Sequence, residues 1–526
     1  MKVCVLISSY DGTDSPFQEY DEYQDPSRYI DNHKFYLRFI TKQNAQAELD
    51  EACNEGFDIF LSFLWGQEYD SVAGIEALRY IEGKKVPILG TDSKFLSMTK
   101  VDFKKAAKRY GILVPKYEVL SESTATTKLQ FPVIVKLANA CGSLHMTEKS
   151  LCVSSDELCV EVERLLGLAK SEVLVEEYVS GDEYSAIVVE TGCGVEALTP
   201  IKYTFKDSLS DMQKFLHFDL KFSGIEKGEV QYEPCKPSKL VDRIRQVACG
   251  SYSSLGVHGC AYARVDTRVD REGNIYVLEV NPTPAFFSQV GNTFGDDHII
   301  SEYFEGGHAA LFDQMVLNKM KDFDVAREYD LIAHKYDAIV NASNIPKFLR
   351  SIALTYNYGG RVLDLGCGTG LVGQILGEFG HRTEMVGVDL SPNMISRANY
   401  HKKYVGAMQH IIQTFSDDSF DHIVSIGALH FLNNVVFKHT LLKMFDVATK
   451  SITIGIEDIP GVYNQHLIEL GYPSIYSYNN QCIIDTIETP LGWKKTYSQR
   501  EYMWTSPATG DVIYGSIIRY EHTLNK

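Results

Sequence analysis

No two of the eleven cysteines form a C-x-x-C pair, and no stretch of the 526 residues approaches the apolar length of a membrane span. The scattered, odd set of thiols argues against a zinc knuckle or a disulfide framework and suits a reducing, cytoplasmic setting. Positive charge is scarce: 51 Lys and Arg stand against 69 Asp and Glu, for a net charge of −18. That balance excludes non-specific binding to nucleic acid or to an anionic membrane surface, both of which need clustered cations, while leaving room for a local phosphate site. Internal repeats and low-complexity tracts are also missing. What remains is ordinary globular material, 44% apolar and 23% charged, with 31 tyrosines that remove any compositional case for disorder. The opening run Met1–Ser9 has one Lys and too few apolar residues for a signal peptide, so it is read as a first strand.

At this length about three or four folding units are expected. Strand-like apolar runs alternate with helix-like stretches throughout, the pattern of α/β architecture. The clearest break falls between Leu311 and Tyr329, where Lys319, Lys321, Asp322, Asp324, Arg327 and Glu328 predict a solvated, helical connector. The division expected is therefore 1–318, a connector at 319–328, and 329–526.

The sharpest local signal lies in the second part, Val362-Leu363-Asp364-Leu365-Gly366-Cys367-Gly368-Thr369-Gly370. A strand ends on Asp364 and runs into a G-x-G-x-G turn, where missing Cβ atoms let the backbone approach a ligand. Asp389 follows 25 residues later, closing the strand Met385–Val388, where a carboxylate can accept hydrogen bonds from two ribose hydroxyls. With Asp389–Met394 and Ser419–Val424, the pattern resembles the Rossmann-like, doubly wound S-adenosylmethionine-dependent methyltransferases over roughly 329–526. A Rossmann unit that binds nothing is the bland alternative. The resemblance implies S-adenosylmethionine held by Asp364, Gly366, Gly368, Gly370 and Asp389. It departs from the family at 406–410, which has no acid to meet the adenine amine. Near the methyl acceptor the candidates are His430, as a catalytic base, and Tyr329, His334 and Tyr336. The segment 328–337 resembles the lid helix of small-molecule methyltransferases, and a lid favours a small acceptor.

Signals in the first part are more dispersed. Phe131–Lys136 is a strand ending in Lys, and Val173–Tyr184 is a strand with an acidic hinge. Ala263–Asp266 and Val277–Asn281 are two strands joined by the turn Arg271–Asn274. Their ends present Arg264, Asp266, Glu279 and Asn281; two carboxylates and an amide oxygen form a hard-oxygen set suited to Mg²⁺. Together these segments resemble the ATP-grasp fold, with three subdomains, in its D-alanine–D-alanine ligase branch, over roughly 1–315. The resemblance implies that Glu176, Glu177 and Val179 hold adenine and Glu183 the ribose. Lys100, Lys136 and Lys221 would meet phosphate oxygens, Lys221 with a catalytic part, and Ser143 lies in the phosphate loop Asn139–His145. Asp266, Glu279 and Asn281 would bind magnesium, and Arg264 would steady an acyl phosphate. The phosphate loop keeps one Gly, Ala285 replaces a family Gly, and the loop Ser8–Glu19 does not match the family's substrate loop. The acids Asp11, Asp14, Glu19, Asp21, Glu22 and Asp25 are either a solvated loop or a collar for an ammonium group.

Three functions follow as expectations. The chain is a bifunctional biosynthetic enzyme that joins a carboxylate to an amine at the expense of ATP and methylates a small molecule. Alternatively it is a methyltransferase regulated by a non-catalytic ATP-binding module, or one whose first half only captures the acceptor. The partners expected are amino-acid or amine substrates, with a homodimer left open and neither nucleic acid nor membrane involved.

Overall fold

The computed structural model describes residues 1–19, 23–122, 127–139, 142–168, 172–191, 194–210, 212–224, 227–255, 261–288, 295–477 and 480–523. Asp21 and Glu22, named above, and Ala140 and Cys141 of the loop Asn139–His145 lie outside these. The chain divides at Met315/Val316 into two compact units, the first holding Met1–Glu190 with Val195–Met315 and the second Val316–Lys526.

Three sheets build the first unit. The opening strand Lys2–Ser8 sits inside a parallel sheet between Lys34–Ile40 and Ile59–Phe63, with Ile88–Gly90 at the edge. Its residues 3–7 are buried, as expected for a central parallel strand covered on both faces. A small antiparallel sheet runs Tyr117–Leu120, Val173–Glu177, Val133–Leu137, Leu151–Cys152. A larger antiparallel sheet runs Val230–Pro234, Ile201–Phe205, Gly181–Thr191, Tyr262–Asp270, Ile275–Asn281. Asp270 closes its Tyr262–Asp270/Ile275–Asn281 turn by accepting from the backbone N–H groups of Glu272 and Asn274. The helices Lys100–Arg109 and Lys239–Ser254 cover this sheet and share one core with it, built on Phe103, Tyr252, Val265 and Val277.

The second unit is one seven-stranded sheet. Five parallel strands stand in the order Lys402–Val405, Thr383–Asp389, Gly360–Leu365, Phe420–Ser425, Ala448–Asp458; the antiparallel strands Val512–His522 and Trp493–Thr505 complete it. Separate cores fill its two faces, one around Phe437, Leu441 and Ile454, the other around Phe348, Tyr358 and Ile375. The order reverses beside Gly360–Leu365, and at such a switch point open α/β sheets bind ligands beyond the carboxyl ends of their strands.

The charged stretch 319–328 lies inside one helix, Gly307–Ile332. It is less solvated than its composition suggests: Lys321 donates to the Ser477 hydroxyl at 3.0 Å, the Gln409 amide reaches Asp322 at 3.5 Å, and Val325 is buried. Alternating signs along a helix look solvated in sequence, but one face here packs on the second unit. Among the described residues no helix is long and apolar enough to cross a membrane.

Candidate functional site

In the first unit the site grows from the hairpin of Tyr262–Asp270 and Ile275–Asn281. Its register sets Asp266 directly opposite Glu279 and Arg264 opposite Asn281. Facing carboxylates repel unless cations stand near them, and cations are supplied. Arg264 donates to Asp266 at 2.9 and 3.0 Å and reaches Asp296 at 3.5 Å. Lys100 pairs with Glu279 at 3.0 Å. It begins the helix Lys100–Arg109, whose start is fixed by a capping box in which Thr99 and Asp102 satisfy each other's backbone N–H. Burial acts against the Glu279 carboxylate, but Lys100, Lys136 and Lys221 outweigh it and hold its pKa well below the usual range.

Glu176 is almost fully enclosed and is gripped by Lys136 and by Lys104, a lysine that sequence reasoning passed over. Burial pushes the Lys104 ammonium down to about 8 against the opposing pull of Glu176. The only hint in sequence was its place one helical turn after Lys100. Glu183 pairs with Arg268 at 3.0 Å; Arg268 also donates to the Val179 carbonyl at 2.8 Å and lies over the Tyr178 ring. Arg268 therefore clamps the acidic hinge from behind, a second residue the sequence did not single out. Glu177 is partly exposed and accepts from the Gln130 N–H. Ser143 takes a left-handed φ of 58° and donates to the Leu216 carbonyl.

A cavity of about 90 Å³ is lined by Lys100, Lys136, Ser143, Glu176, Glu177, Val179, Glu183, Lys221, Arg264, Asp266 and Glu279. It thus brings together every first-half candidate except Asn281. Asn281 lines a second cavity of about 160 Å³, which shares Lys221, Arg264, Tyr203 and Leu216 with the first and is otherwise walled by Gln24, Asp296 and mainly aromatic and small residues, Ala285 among them. The Asn281 amide oxygen accepts from the Thr283 N–H at 2.9 Å. Lys221 is half-buried near Arg264, and loss of solvent and the like charge both lower its pKa. None of Asp11, Asp14, Glu19 or Asp25 lines either cavity; the acid lining the larger one is Asp296, which burial pushes up to about 6. Among the described residues no three His, Cys, Asp or Glu side chains are pre-assembled around a metal position. The donor set still fits magnesium, which takes few protein oxygens and completes its shell with phosphate and water.

In the second unit the Gly-rich turn leaves the strand Gly360–Leu365 with left-handed φ at Gly366, Gly368 and Gly370. A Cβ on Gly366 would stand 2.2 Å from the Ala428 methyl, so the turn can nest against that loop only as glycine. Asp389 accepts from the Gly368 N–H at 2.8 Å and from the Ser391 N–H at 2.9 Å, tying the ends of two neighbouring strands together. Burial pushes its carboxyl up to about 6. Asp364 lies deeper, accepting from the Tyr400 hydroxyl at 2.6 Å, and burial pushes it to about 7. The same hydroxyl accepts from the Gly373 N–H, while the Tyr400 ring occupies the space where side chains at Gly373 and Gly387 would project, 2.4 and 2.6 Å away. The carboxylate beside 406–410 is Asp322, from the helix Gly307–Ile332.

Beyond the next two strands, the His430 imidazole bonds Glu457 at 2.8 Å. The turn carrying it is held by Asn480, whose amide donates to the Leu429 and Leu432 carbonyls. Tyr329, Tyr336, Phe431 and Tyr476 gather round the pair, with ring centroids 5.2–5.9 Å apart. His334 is exposed and stands outside this cluster.

Residues 95–291 match the family model of the D-ala D-ala ligase C-terminus, and 362–451 match that of a methyltransferase domain. A D-alanine–D-alanine ligase of Cupriavidus metallidurans is 26% identical over 266 residues, covering 49% of this chain and 74% of that protein. One from Pseudomonas fluorescens is 29% identical over 231 residues, 42% of this chain and 63% of that protein. Among solved structures, a D-alanine–D-alanine ligase of Bacillus anthracis aligns at 20% identity and TM-score 0.44, covering 61% of this chain and 98% of its own. A D-Ala:D-Ser ligase of Enterococcus faecalis aligns at 18% and 0.45, covering 60% and 99%.

Proposed function

We propose that this chain, which carries a D-ala D-ala ligase C-terminal domain of the ATP-grasp kind followed by a methyltransferase domain, performs two reactions on small molecules, in either order. The first is ATP-dependent joining of a carboxylate to an amine through an acyl phosphate; the second is methylation.

For ligation, Glu176, Glu177 and Val179 form the adenine end of the smaller cavity and Glu183 the ribose side. Lys100, Lys136 and Lys221 face the phosphates, with Ser143 in the loop above them. Asp266, Glu279 and Asn281 would hold magnesium, which when bound supplies charge neutralisation on the phosphates. Arg264 stands where the two cavities meet, positioned to offset charge that develops on the acyl group. In the second unit, Gly366, Gly368 and Gly370 admit S-adenosylmethionine close to the backbone, Asp389 accepts from its ribose hydroxyls, and Asp364 braces the turn through Tyr400. S-adenosylmethionine, when bound, supplies an electrophilic methyl group.

The observation that carries the ligase reading is the register setting Asp266 against Glu279 and Arg264 against Asn281 beside a cavity rimmed with three lysines. Its test is ATP-dependent phosphate release across a panel of amino acids and amines, with mass spectrometry of the products. Release should require divalent metal and disappear in Asp266→Asn and Glu279→Gln. Arg264→Ala should keep nucleotide affinity within about threefold and lose turnover, because its interaction strengthens in the transition state. Nucleotide binding with no release under any amine would favour a regulatory module instead.

A further inference from the structure

Two neighbouring acids at the start of the helix Gly295–Tyr303 are used differently. Asp297 is fully engaged: it accepts from the Phe287 and Ser288 N–H groups at 2.8 and 2.9 Å and from His308 at 2.8 Å, which fixes the turn after Pro284. Asp296 is 3% exposed and lines the larger cavity, yet among the described residues its one hydrogen-bond partner is Arg264, at a long 3.5 Å. A helix start favours an acid, which accounts for the charge but not for a buried carboxylate beside a cavity with so little to bond. Arg264, held from its other side by Asp266, commits three of its five N–H groups to the two carboxylates and keeps two for a ligand. The cavity therefore presents an anion and a cation side by side. Much of the remaining wall is aromatic: Phe17 packs edge-on to Trp65 with centroids 5.4 Å apart, and Phe63, Tyr232 and Tyr262 stand in the same lining. At about 10–15 Å³ for each water-sized group, a cavity of 160 Å³ has room for roughly ten. Alanine has far fewer non-hydrogen atoms than that; the aromatic amino acids match or exceed it.

We propose that the carboxylate substrate of the ligase half is an α-amino acid with a large aromatic side chain, its ammonium on Asp296, its carboxylate on Arg264 and its ring among Phe17, Phe63, Trp65, Tyr232 and Tyr262. Ammonium and carboxylate on one carbon form a dipole that lies antiparallel to the Arg264–Asp296 pair, so each charge meets its opposite. Arg264 and Lys221, which also line the smaller cavity, bring the carboxylate to the side on which the phosphates of ATP would lie. Asp296 is thus the ammonium acceptor that the acidic loop beginning at Ser8 was a candidate to be. Alanine would leave the aromatic wall uncovered and forgo the apolar burial that a ring gains there. The inference rests on the ligase reading above.

The test is calorimetric titration of the full chain, saturated with magnesium and the non-hydrolysable nucleotide AMP-PNP, with phenylalanine, tyrosine, tryptophan and alanine in both enantiomers. At least one aromatic amino acid should bind about tenfold more tightly than alanine. It should outbind its deaminated counterpart (3-phenylpropanoate, 3-(4-hydroxyphenyl)propanoate or indole-3-propanoate) by a similar factor, and Asp296→Asn should erase that second preference. Ala285→Leu narrows the larger cavity alone, so it should weaken the amino acid about tenfold. AMP-PNP affinity and melting temperature, unchanged in Ala285→Leu, report that this variant folds. With ATP, and hydroxylamine as a general nucleophile, the same amino acid should appear as its hydroxamate by mass spectrometry. The proposal is overturned if no aromatic amino acid outbinds alanine, if the preference for the ammonium survives Asp296→Asn, if Ala285→Leu leaves affinity unchanged, or if alanine forms the hydroxamate in place of the aromatic amino acid. Each of these leaves nucleotide binding, and the ligase reading, standing. Failure of AMP-PNP to bind, or no hydroxamate from any carboxylate, overturns that reading and the inference with it.

Discussion

Asp364 illustrates how a residue can match a motif and yet work inside the protein. Its carboxyl titrates near 7, against 3.8 for an ordinary aspartate, because burial disfavours the charged form. The folded state therefore holds the proton more tightly than the unfolded chain does. The resulting stabilisation is full below about pH 4 and is lost as pH rises toward 7, on the order of a few kcal/mol at about 1.4 kcal/mol per pKa unit. Asp364→Asn keeps an acceptor for the Tyr400 hydroxyl without the ionisation. Melting of the variant should accordingly be less sensitive to pH between 5 and 8 than that of the parent, with the variant more stable by several degrees at pH 8; parallel curves would refute the assignment. The glycines and Asp389 were legible because close backbone approach admits so few residue types. Glu457, Lys104, Arg268 and Tyr400 were not, since a lone polar or charged side chain reads as surface until its partner, 27 to 85 residues away for each of the four, is seen beside it.

At the scale of elements, strands were easier to read than their surroundings. The Gly-rich turn, the hairpin at Arg271–Asn274 and the acidic hinge all lie on strand ends as the apolar periodicity implied, because a strand carries its register in its own sequence. The stretch 319–328 read differently, because alternating charges say nothing about which helical face meets a neighbour. The start of Lys100–Arg109 matters for the candidate phosphate site, since that helix delivers Lys100 to Glu279 and Lys104 to Glu176. Thr99→Ala removes half of the capping box and should cost about 1 kcal/mol in denaturant unfolding of the first unit. If the cap also fixes the lysines, the apparent affinity for ATP should fall in the same variant. An unchanged denaturation midpoint would mean that packing, and not the cap, sets the helix start.

At the scale of the molecule, each unit has its own apolar cores: Phe95, Phe103 and Val265 belong to one in the first, Phe420, Phe437 and Ile454 to one in the second. Units with independent cores can usually be expressed apart. A piece beginning at Val316 should be soluble and should bind S-adenosylhomocysteine within about threefold of the full chain by calorimetry. A piece beginning at Phe323 should be less stable, because it discards Lys321 with its bond to Ser477 and Asp322 with its contact to Gln409. Equal melting temperatures for the two pieces would show that this turn of helix adds nothing to the second unit.

Tyr400 has a consequence for descent. Its ring fills the room vacated by Gly373 and Gly387 while its hydroxyl tethers Asp364, so positions 364, 373, 387 and 400 are expected to be inherited as one character. A drift to alanine at 387 would be selected against while the tyrosine remains, and loss of the tyrosine would open a hole that alanine could then fill. Lineages that share this sheet should therefore show the four positions changing together, with glycine at 373 and 387 travelling with an aromatic residue at 400.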